Sequence, residues 1–278
     1  MKSSSVLSNL KSDYFFLKLF DNLLKKKTLD IIKYNNNLKD RLNININNYK
    51  EYSEIYSPIE IEIKPINNVY GKFICIGKKN EIYFHIYFNN NEEEIKRNYL
   101  DENEKIKIIK IIIDYQVISF EELFRYCKCI EYINFKKFFR HNITNMYGMF
   151  ANCSSLKELN LSNFNTDNVT NMSSMFLGCS SLKELNLSNF NTNNVINMSG
   201  MFFECSSLKE LNLSNFNTDN VTIMHRVFYG CSSLKELNLS NFNTNKETFM
   251  DGMFSKCSEQ LKMKIKAKYK NIKEEAFK

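Results

Sequence analysis

The sequence CSSLKELNLSNFNT occurs without change at residues 153–166, 179–192, 205–218 and 231–244, so the chain repeats itself every 26 residues. The cysteines that mark the register of the copies are Cys127, Cys153, Cys179, Cys205, Cys231 and Cys257. A fixed period of this length is typical of structural repeats that stack side by side. The sequence therefore predicts about six copies, of which the copy around Cys127 is degenerate.

The first half of each copy has the spacing of a strand. Leu156, Leu159, Leu161 and Phe164 follow the pattern L-x-x-L-x-L-x-x-F, which is the strand half of a leucine-rich repeat. Because successive side chains alternate across a strand, Leu159 and Leu161 share the inner face. The intervening polar residues are expected on the outer face.

The second half of each copy has apolar residues at the spacing of a short helix. In the copy that starts at Cys153 these residues are Val169, Met172, Met175, Phe176 and Cys179. Apolar positions three or four residues apart predict one buried helical face. Asn163, Asn165 and Asn168 lie between the two halves, and we expect them to form the turn that glycine or proline forms elsewhere.

The repeats predict an α/β solenoid, a leucine-rich-repeat stack of parallel strands over residues 105–260. Residues 261–278 alternate Leu261, Met263 and Ile265 with lysines, which predicts a Lys-rich capping strand and tail. Alternation from Ile59 to Ile63 predicts a strand, and residues 56–104 are interpreted as a β-rich cap. Helical spacing after Ser12 and Asp13 predicts a small helical bundle over residues 1–55.

The stretch CSSLKELNLSNFNTDNVTNMSSMF, residues 153–176, resembles the BspA-type leucine-rich-repeat surface-protein family. The resemblance covers roughly residues 117–260. It implies the same repeat fold, and it implies a cell-surface adhesin as one possible function, because members of that family range from adhesins to uncharacterised proteins.

A second resemblance concerns the N-terminal segment. Residues 19–24, LFDNLL, with residues 29–42, LDIIKYNNNLKDRL, are similar to an F-box, although the opening Leu-Pro and the late Trp of that family are missing. The resemblance implies an adaptor that docks a ubiquitin ligase and selects substrate through the repeats. The alternative is a helical bundle that only caps the stack.

The polar residues on the outer face of the strands are the candidate binding residues. Open repeat arrays often bind a partner on such a face. The twelve residues are Glu158, Asn160, Ser162, Glu184, Asn186, Ser188, Glu210, Asn212, Ser214, Glu236, Asn238 and Ser240. Solvated ladders without a partner are the alternative, and the variable positions that include Leu177, Phe203 and Tyr229 form a second candidate patch.

No catalytic motif is evident, so we expect a non-enzymatic scaffold for protein-protein interaction, without cofactor or metal. His85, His141 and His225 have no matching nucleophile and acid, and Cys127-x-Cys129 lacks a second ligand pair. Rungs about 4.8 Å apart are too far apart for the usual disulfide, which favours buried, reduced thiols in the repeated cysteines.

Charge and hydropathy restrict the partners and the compartment. The formal net charge is +7, and the lysines alternate with acidic residues, so we expect a protein partner, no nucleic acid and a monomer. The most apolar run, residues 106–113, contains Lys107 and Lys110, which excludes a membrane span. Residues 1–10 lack a signal-peptide core, so a cytoplasmic location is expected, with the cell surface as the alternative.

Overall fold

The computed structural model describes residues 57–114, 116–243 and 248–278, together with the isolated positions 37 and 40. The chain divides into two compact units, Met1–Ser57 and Pro58–Lys278. The predicted helical bundle and the F-box-like stretch lie in the first unit, outside the described residues apart from those two positions.

The largest sheet has six strands. These strands are β1 (Ile59–Pro65), β3 (Phe84–Phe88), β4 (Glu94–Ile95), β6 (Ile109–Ile113), β7 (Ile130–Lys137) and β8 (Glu158–Asn160). Their order across the sheet is β4-β3-β6-β1-β7-β8. All neighbours are antiparallel except β7 and β8. The alternation that predicts β1 is confirmed, because Ile59, Ile61 and Ile63 are buried and pair with β6 and β7.

The remaining elements are short. A two-stranded antiparallel sheet joins β2 (Gly71–Lys72) to β5 (Tyr99–Leu100), and a two-stranded parallel sheet joins β9 (Glu210–Asn212) to β10 (Glu236–Asn238). Helix α1 spans Glu259–Lys268. Two 3-10 helices span Lys78–Tyr83 and Glu274–Phe277.

The predicted fold class, an α/β solenoid with a stack of parallel strands, is wrong for the described residues. The main sheet is mixed and chiefly antiparallel, and among the described residues parallel pairs of strands occur between β7 and β8 and between β9 and β10. The other parallel pairings are isolated bridges between successive copies, such as that of Asn145 with Asn171. Residues 184–186 form no strand, although their sequence is identical to that of β8, β9 and β10. The second half of each copy is a series of turns and contains no helix.

Hydrogen bonds between copies explain why the second half of a copy is not helical. The backbone N–H groups of Met146, Gly148 and Phe150 donate to carbonyls of the next copy, whereas those of Met149 and Ala151 donate to the carbonyl three residues back. A helix would direct every one of these groups to the carbonyl four residues back. The three-residue turns still place apolar residues every third position, which imitates the spacing of a helix.

Two residues per copy also have a left-handed backbone that interrupts any helix. Their φ values lie between +55° and +70°, and in two neighbouring copies they are Gly148, Asn152, Ser174 and Gly178. Side chains other than glycine are disfavoured in this region, by roughly 1–2 kcal/mol per residue. The conformation persists because these turns pair with the adjacent copy.

We expect Gly178→Ala to lower the free energy of unfolding by about 1–3 kcal/mol. Gly178 has φ +68°, and an added Cβ would lie 2.6 Å from Oδ1 of Asn152 in the preceding copy. Urea denaturation followed by circular dichroism measures the change. Gly77→Ala is the matched control, since Gly77 has φ −69° and open space around it. Equal losses in the two variants would contradict the argument.

The core is built from aligned rows of identical side chains, as the period predicts. The residues of one copy that are buried include Leu156, Leu161, Phe164, Val169, Met172, Met175, Phe176 and Cys179. Neighbouring phenylalanines stack almost in parallel, with Phe150 and Phe176 5.7 Å apart between ring centroids. The six repeated thiols are buried, which confirms that part of the cysteine prediction.

The predicted C-terminal capping strand is also wrong, because residues 259–268 form helix α1. The side-chain oxygen of Ser258 accepts a hydrogen bond from the N–H of Leu261 and caps the helix. Leu261 and Ile265 are buried, whereas Met263, which the strand would have placed beside them, is 71% exposed. The buried residues of this segment are therefore four residues apart, as on one face of a helix, and do not follow the alternation of a strand.

Candidate protein-binding face

The twelve predicted residues belong to one surface, which we call the strand face: the outward side chains of residues 157–162, 183–188, 209–214 and 235–240. The register of β9 and β10 places Glu236 beside Glu210 and Asn238 beside Asn212. Glu158, Glu184, Glu210 and Glu236 are all exposed. Identical copies therefore present the same polar groups in columns across the surface.

An open cleft of about 540 Å³ lies on this face. It is lined by residues 183–186, 209–212 and 236–238, and by Lys268 at the end of α1. Of the twelve predicted residues, the structure brings six together here: Glu184, Asn186, Glu210, Asn212, Glu236 and Asn238. The four serines, with Glu158 and Asn160, do not line the cleft.

Each asparagine of the strand face uses its side-chain oxygen in a hydrogen bond within its own copy. Oδ1 of Asn160, Asn186, Asn212 and Asn238 accepts a hydrogen bond from the backbone N–H of the serine two residues later, at 3.0–3.1 Å. This local bond ends the strand and orients the amide. The Nδ2 group of Asn186 and of Asn212 makes no hydrogen bond among the described residues, so it can donate to a partner.

The carboxylate of the last copy differs from the other three on the strand face. Lys264 of α1 lies 2.5 Å from Glu236. Within the described part of the chain, Glu158, Glu184 and Glu210 form no ion pair. Like charges at neighbouring positions repel each other, so these three carboxylates leave an unneutralised negative charge on the face.

The last copy is partly covered by the C-terminal helix. The phenol oxygen of Tyr269 accepts a hydrogen bond from the N–H of Leu239 at 2.9 Å and donates to Oδ1 of Asn238 at 3.3 Å. Oδ1 of Asn238 therefore accepts a second hydrogen bond, in addition to that from Ser240, which Oδ1 of Asn186 and of Asn212 does not. Sequence reasoning missed Lys264, Lys268 and Tyr269, because it assigned their segment to a strand.

Other chemically active side chains have local partners. His85 lies between two carboxylates, with Nδ1 2.9 Å from Glu94 and Nε2 3.6 Å from Asp114. A hydrogen bond from Lys96, assisted by one from His85, lowers the pKa of Glu94 below its usual value. In the ranges that the structure describes, no three His, Cys, Asp or Glu side chains are arranged to hold a metal ion.

The second candidate patch also exists as a surface feature. Phe203 and Tyr229, both half-buried, stack with ring centroids 4.6 Å apart. The ammonium of Lys256 lies 5.0 Å from the centroid of Tyr229, and the hydrogen bond to that tyrosine raises the pKa of Lys256. Because these side chains satisfy one another, the patch has fewer free groups than the strand face.

A family model described as "Mycoplasma protein of unknown function, DUF285" matches residues 118–212 and 183–275. The two matches together span more than half of the chain, and the chain belongs to this family. No curated protein and no solved structure matched the chain. Among the described residues, no helix combines the length and the apolar character needed to cross a membrane.

Proposed function

We propose that this protein is a non-catalytic binding module that holds a polypeptide partner on the strand face. The observation that carries the proposal is the pair of carboxylates, Glu184 and Glu210, that form no ion pair among the described residues and line one cleft. Beside them the amides of Asn186 and Asn212 have a free Nδ2 donor. Each of these copies therefore offers one acceptor and one oriented donor.

A polypeptide fits this chemistry better than a small molecule does. Small-molecule sites are concave and mostly apolar, with few polar groups. The cleft here crosses three copies, and Leu185 is a half-exposed apolar group among the polar columns. A protein partner can match such a surface with backbone amides, basic side chains and apolar side chains at once.

The balance of charge argues against a nucleic acid as the partner. The cleft is lined by the ammonium groups of Lys183, Lys209 and Lys268 and by an equal number of glutamate carboxylates. Binding of nucleic acid relies on lysines and arginines that neutralise phosphates, and carboxylates at the same surface oppose that attraction. We therefore propose that the partner is a protein and not a nucleic acid. We propose further that the chain binds it as a monomer.

The cysteines support a cytoplasmic location for this activity. All eight thiols are free, and all except Cys75 are buried. Free thiols are typical of reducing compartments, whereas secreted domains tend to form disulfides. Modification of the protein by a membrane-impermeant label on intact cells would contradict this location and favour the cell surface.

We expect the double variant Glu184→Gln/Glu210→Gln to capture at least one partner protein in an amount about tenfold smaller than the wild type captures. A loss of this size corresponds to about 1.4 kcal/mol, which is modest for a charge that pairs across an interface. The measurement is quantitative mass spectrometry after affinity capture with the full chain. Glutamine keeps the size of the side chain, so the fold is preserved.

The matched control is Asp251→Asn, which removes an exposed carboxylate from the turn segment of the last copy. This variant is expected to recover the same proteins as the wild type. If the double variant and the control recover every protein in equal amounts, the strand face does not bind a partner through these glutamates, and the proposal fails.

A further inference from the structure

Three thiols from two distant parts of the sequence lie where the segment after β2 packs against the first copy, the degenerate one around Cys127. Cys75, Cys127 and Cys129 all lie at this junction. The backbone N–H of Cys75 donates to the carbonyl of Leu123 at 2.7 Å, which fixes the segment against the copy. The Sγ atom of Cys129 points to the carbonyl of Lys72, 3.2 Å away. Cys129 is thus directed to β2 and not to Cys75.

Cys75 and Cys127 converge on one backbone oxygen. Their Sγ atoms lie 3.2 Å and 3.8 Å from the carbonyl oxygen of Arg125. Cys75 is half-buried, and it is the one cysteine of the chain that is not fully buried. Cys127 lies behind it and is 0% exposed. Of the two residues, Cys75 is therefore the one that solvent reaches.

The surroundings favour the thiolate of Cys75. A hydrogen bond with the Cys127 thiol, together with the charges of Lys72 and Arg125, lowers the pKa of Cys75 to about 7. The hydrogen bond with Cys75, together with burial, raises the pKa of Cys127 well above its usual value. The thiolate is the nucleophilic form, so the exposed member of the pair is also the reactive one.

We propose that Cys75 and Cys127 are an oxidant-reactive pair that forms a disulfide when the protein meets a peroxide. The Cys75 thiolate attacks one oxygen of hydrogen peroxide, the O–O bond breaks, hydroxide leaves, and the sulfur is oxidised to a sulfenic acid. The Cys127 sulfur then attacks that sulfur. The S–S bond forms as the S–O bond breaks, and the hydroxyl leaves with the Cys127 proton as water.

The reaction consumes one molecule of hydrogen peroxide for two thiols. Two thiols are oxidised to one disulfide, and hydrogen peroxide is reduced to two molecules of water, one of which takes up the proton that Cys75 releases. The product would join the segment after β2 covalently to the first copy. The site is separate from the strand face, so its test is independent of the proposed function.

Peptide mapping of the whole protein tests the pair directly. The reduced chain is treated with one equivalent of hydrogen peroxide, blocked with N-ethylmaleimide and digested with trypsin without reduction. Trypsin cleaves at Lys128, so residues 126–128 contain Cys127 alone and residues 129–136 contain Cys129 alone. We expect a disulfide that joins residues 73–78 to residues 126–128. A disulfide to residues 129–136, a dimer through Cys75, or an unmodified Cys75 would overturn the proposal.

Two variants sharpen the result. With excess hydrogen peroxide, Cys127→Ala should convert Cys75 to a sulfinic or sulfonic acid with no disulfide, whereas Cys129→Ala should form the same disulfide as the wild type. Alkylation of Cys75 by iodoacetamide should reach half its maximal rate near pH 7, in line with its pKa. If Cys127→Ala does not fold, the mapping of the wild type still decides the question. A disulfide that persists in Cys127→Ala refutes the pair.

Discussion

Phe202→Ala is expected to lower the free energy of unfolding by about 3–5 kcal/mol, the range for deletion of a fully buried phenylalanine. Phe202 is 0% exposed and lies in a continuous row of stacked rings. Its ring centroid is 5.6 Å from that of Phe176 on one side and 5.6 Å from that of Phe228 on the other. The variant removes both ring contacts and leaves a cavity that the two hydrogen-bonded neighbouring copies cannot close.

The adjacent residue is the control for this prediction. Phe203 has the same side chain, but it is half-buried and makes one ring contact, with Tyr229. Phe203→Ala is expected to lower the free energy of unfolding by about 1 kcal/mol. Urea denaturation of both variants gives the comparison. Equal losses would show that the row of buried rings does not hold the copies together.

The positions of the core side chains could be predicted from the period alone. Copies in the same register have closely similar surroundings, so most apolar positions that are buried in one copy are buried in the others. Leu185 is an exception, since it is half-buried whereas Leu211 and Leu237 at the same position are buried. Leu156 and Leu182 are both 0% exposed, and so are Phe150 and Phe176. Five of the repeated thiols, from Cys153 to Cys257, each donate a hydrogen bond to a carbonyl 29 residues earlier, such as Cys179 to Phe150, and the sequence gives no sign of these bonds.

The conformation of the second half of each copy could not be predicted in the same way. Apolar residues every third position fit both a helix and a series of three-residue turns. The turns are distinguished from a helix by backbone amides that donate to the next copy, and these bonds depend on the tertiary structure. Glycine marks only some of the left-handed positions, since Asn152, Ser174 and Glu204 adopt the same φ.

The sequence did contain a signal for helix α1. Ser258 is a good N-cap, and Leu261 and Ile265 are four residues apart, as on one face of a helix. The alternation of lysines with apolar residues favoured a strand instead. Because the segment was assigned to a strand, the ion pair of Lys264 with Glu236 could not be predicted. The difference between Glu236 and the other glutamates of the strand face could not be predicted either.

The pairing of Cys75 with Cys127 depends on contacts between residues far apart in the sequence. The repeat places Cys127 in the core, but no periodicity relates it to Cys75, which precedes the repeats. The antiparallel pairing of β1 with β7 positions the first copy beside the residues that follow β2. Only the tertiary structure shows that the two thiols meet.

Arg140→Met is expected to lower the free energy of unfolding by about 2–4 kcal/mol, because it leaves buried carbonyl groups without donors. Arg140 follows β7 and is 0% exposed. Its guanidinium donates to the carbonyl of Ile113 at 2.6 Å and to that of Val117 at 2.9 Å. These bonds link the end of β6 to the first copy, so one side chain joins the antiparallel sheet to the repeats.

The stabilisation comes from these hydrogen bonds and not from the charge. Burial lowers the pKa of Arg140 to about 10, against the smaller opposing effect of Asp114, so the folded state disfavours the cation relative to water. Arg140→Lys keeps a cation of similar length but replaces the planar fork with one ammonium, and we expect an intermediate loss. Denaturation of the wild type and both variants in urea measures the series. Replacement of a buried charge by an apolar side chain stabilises some proteins, so an Arg140→Met variant as stable as the wild type would show that the two carbonyls find other donors.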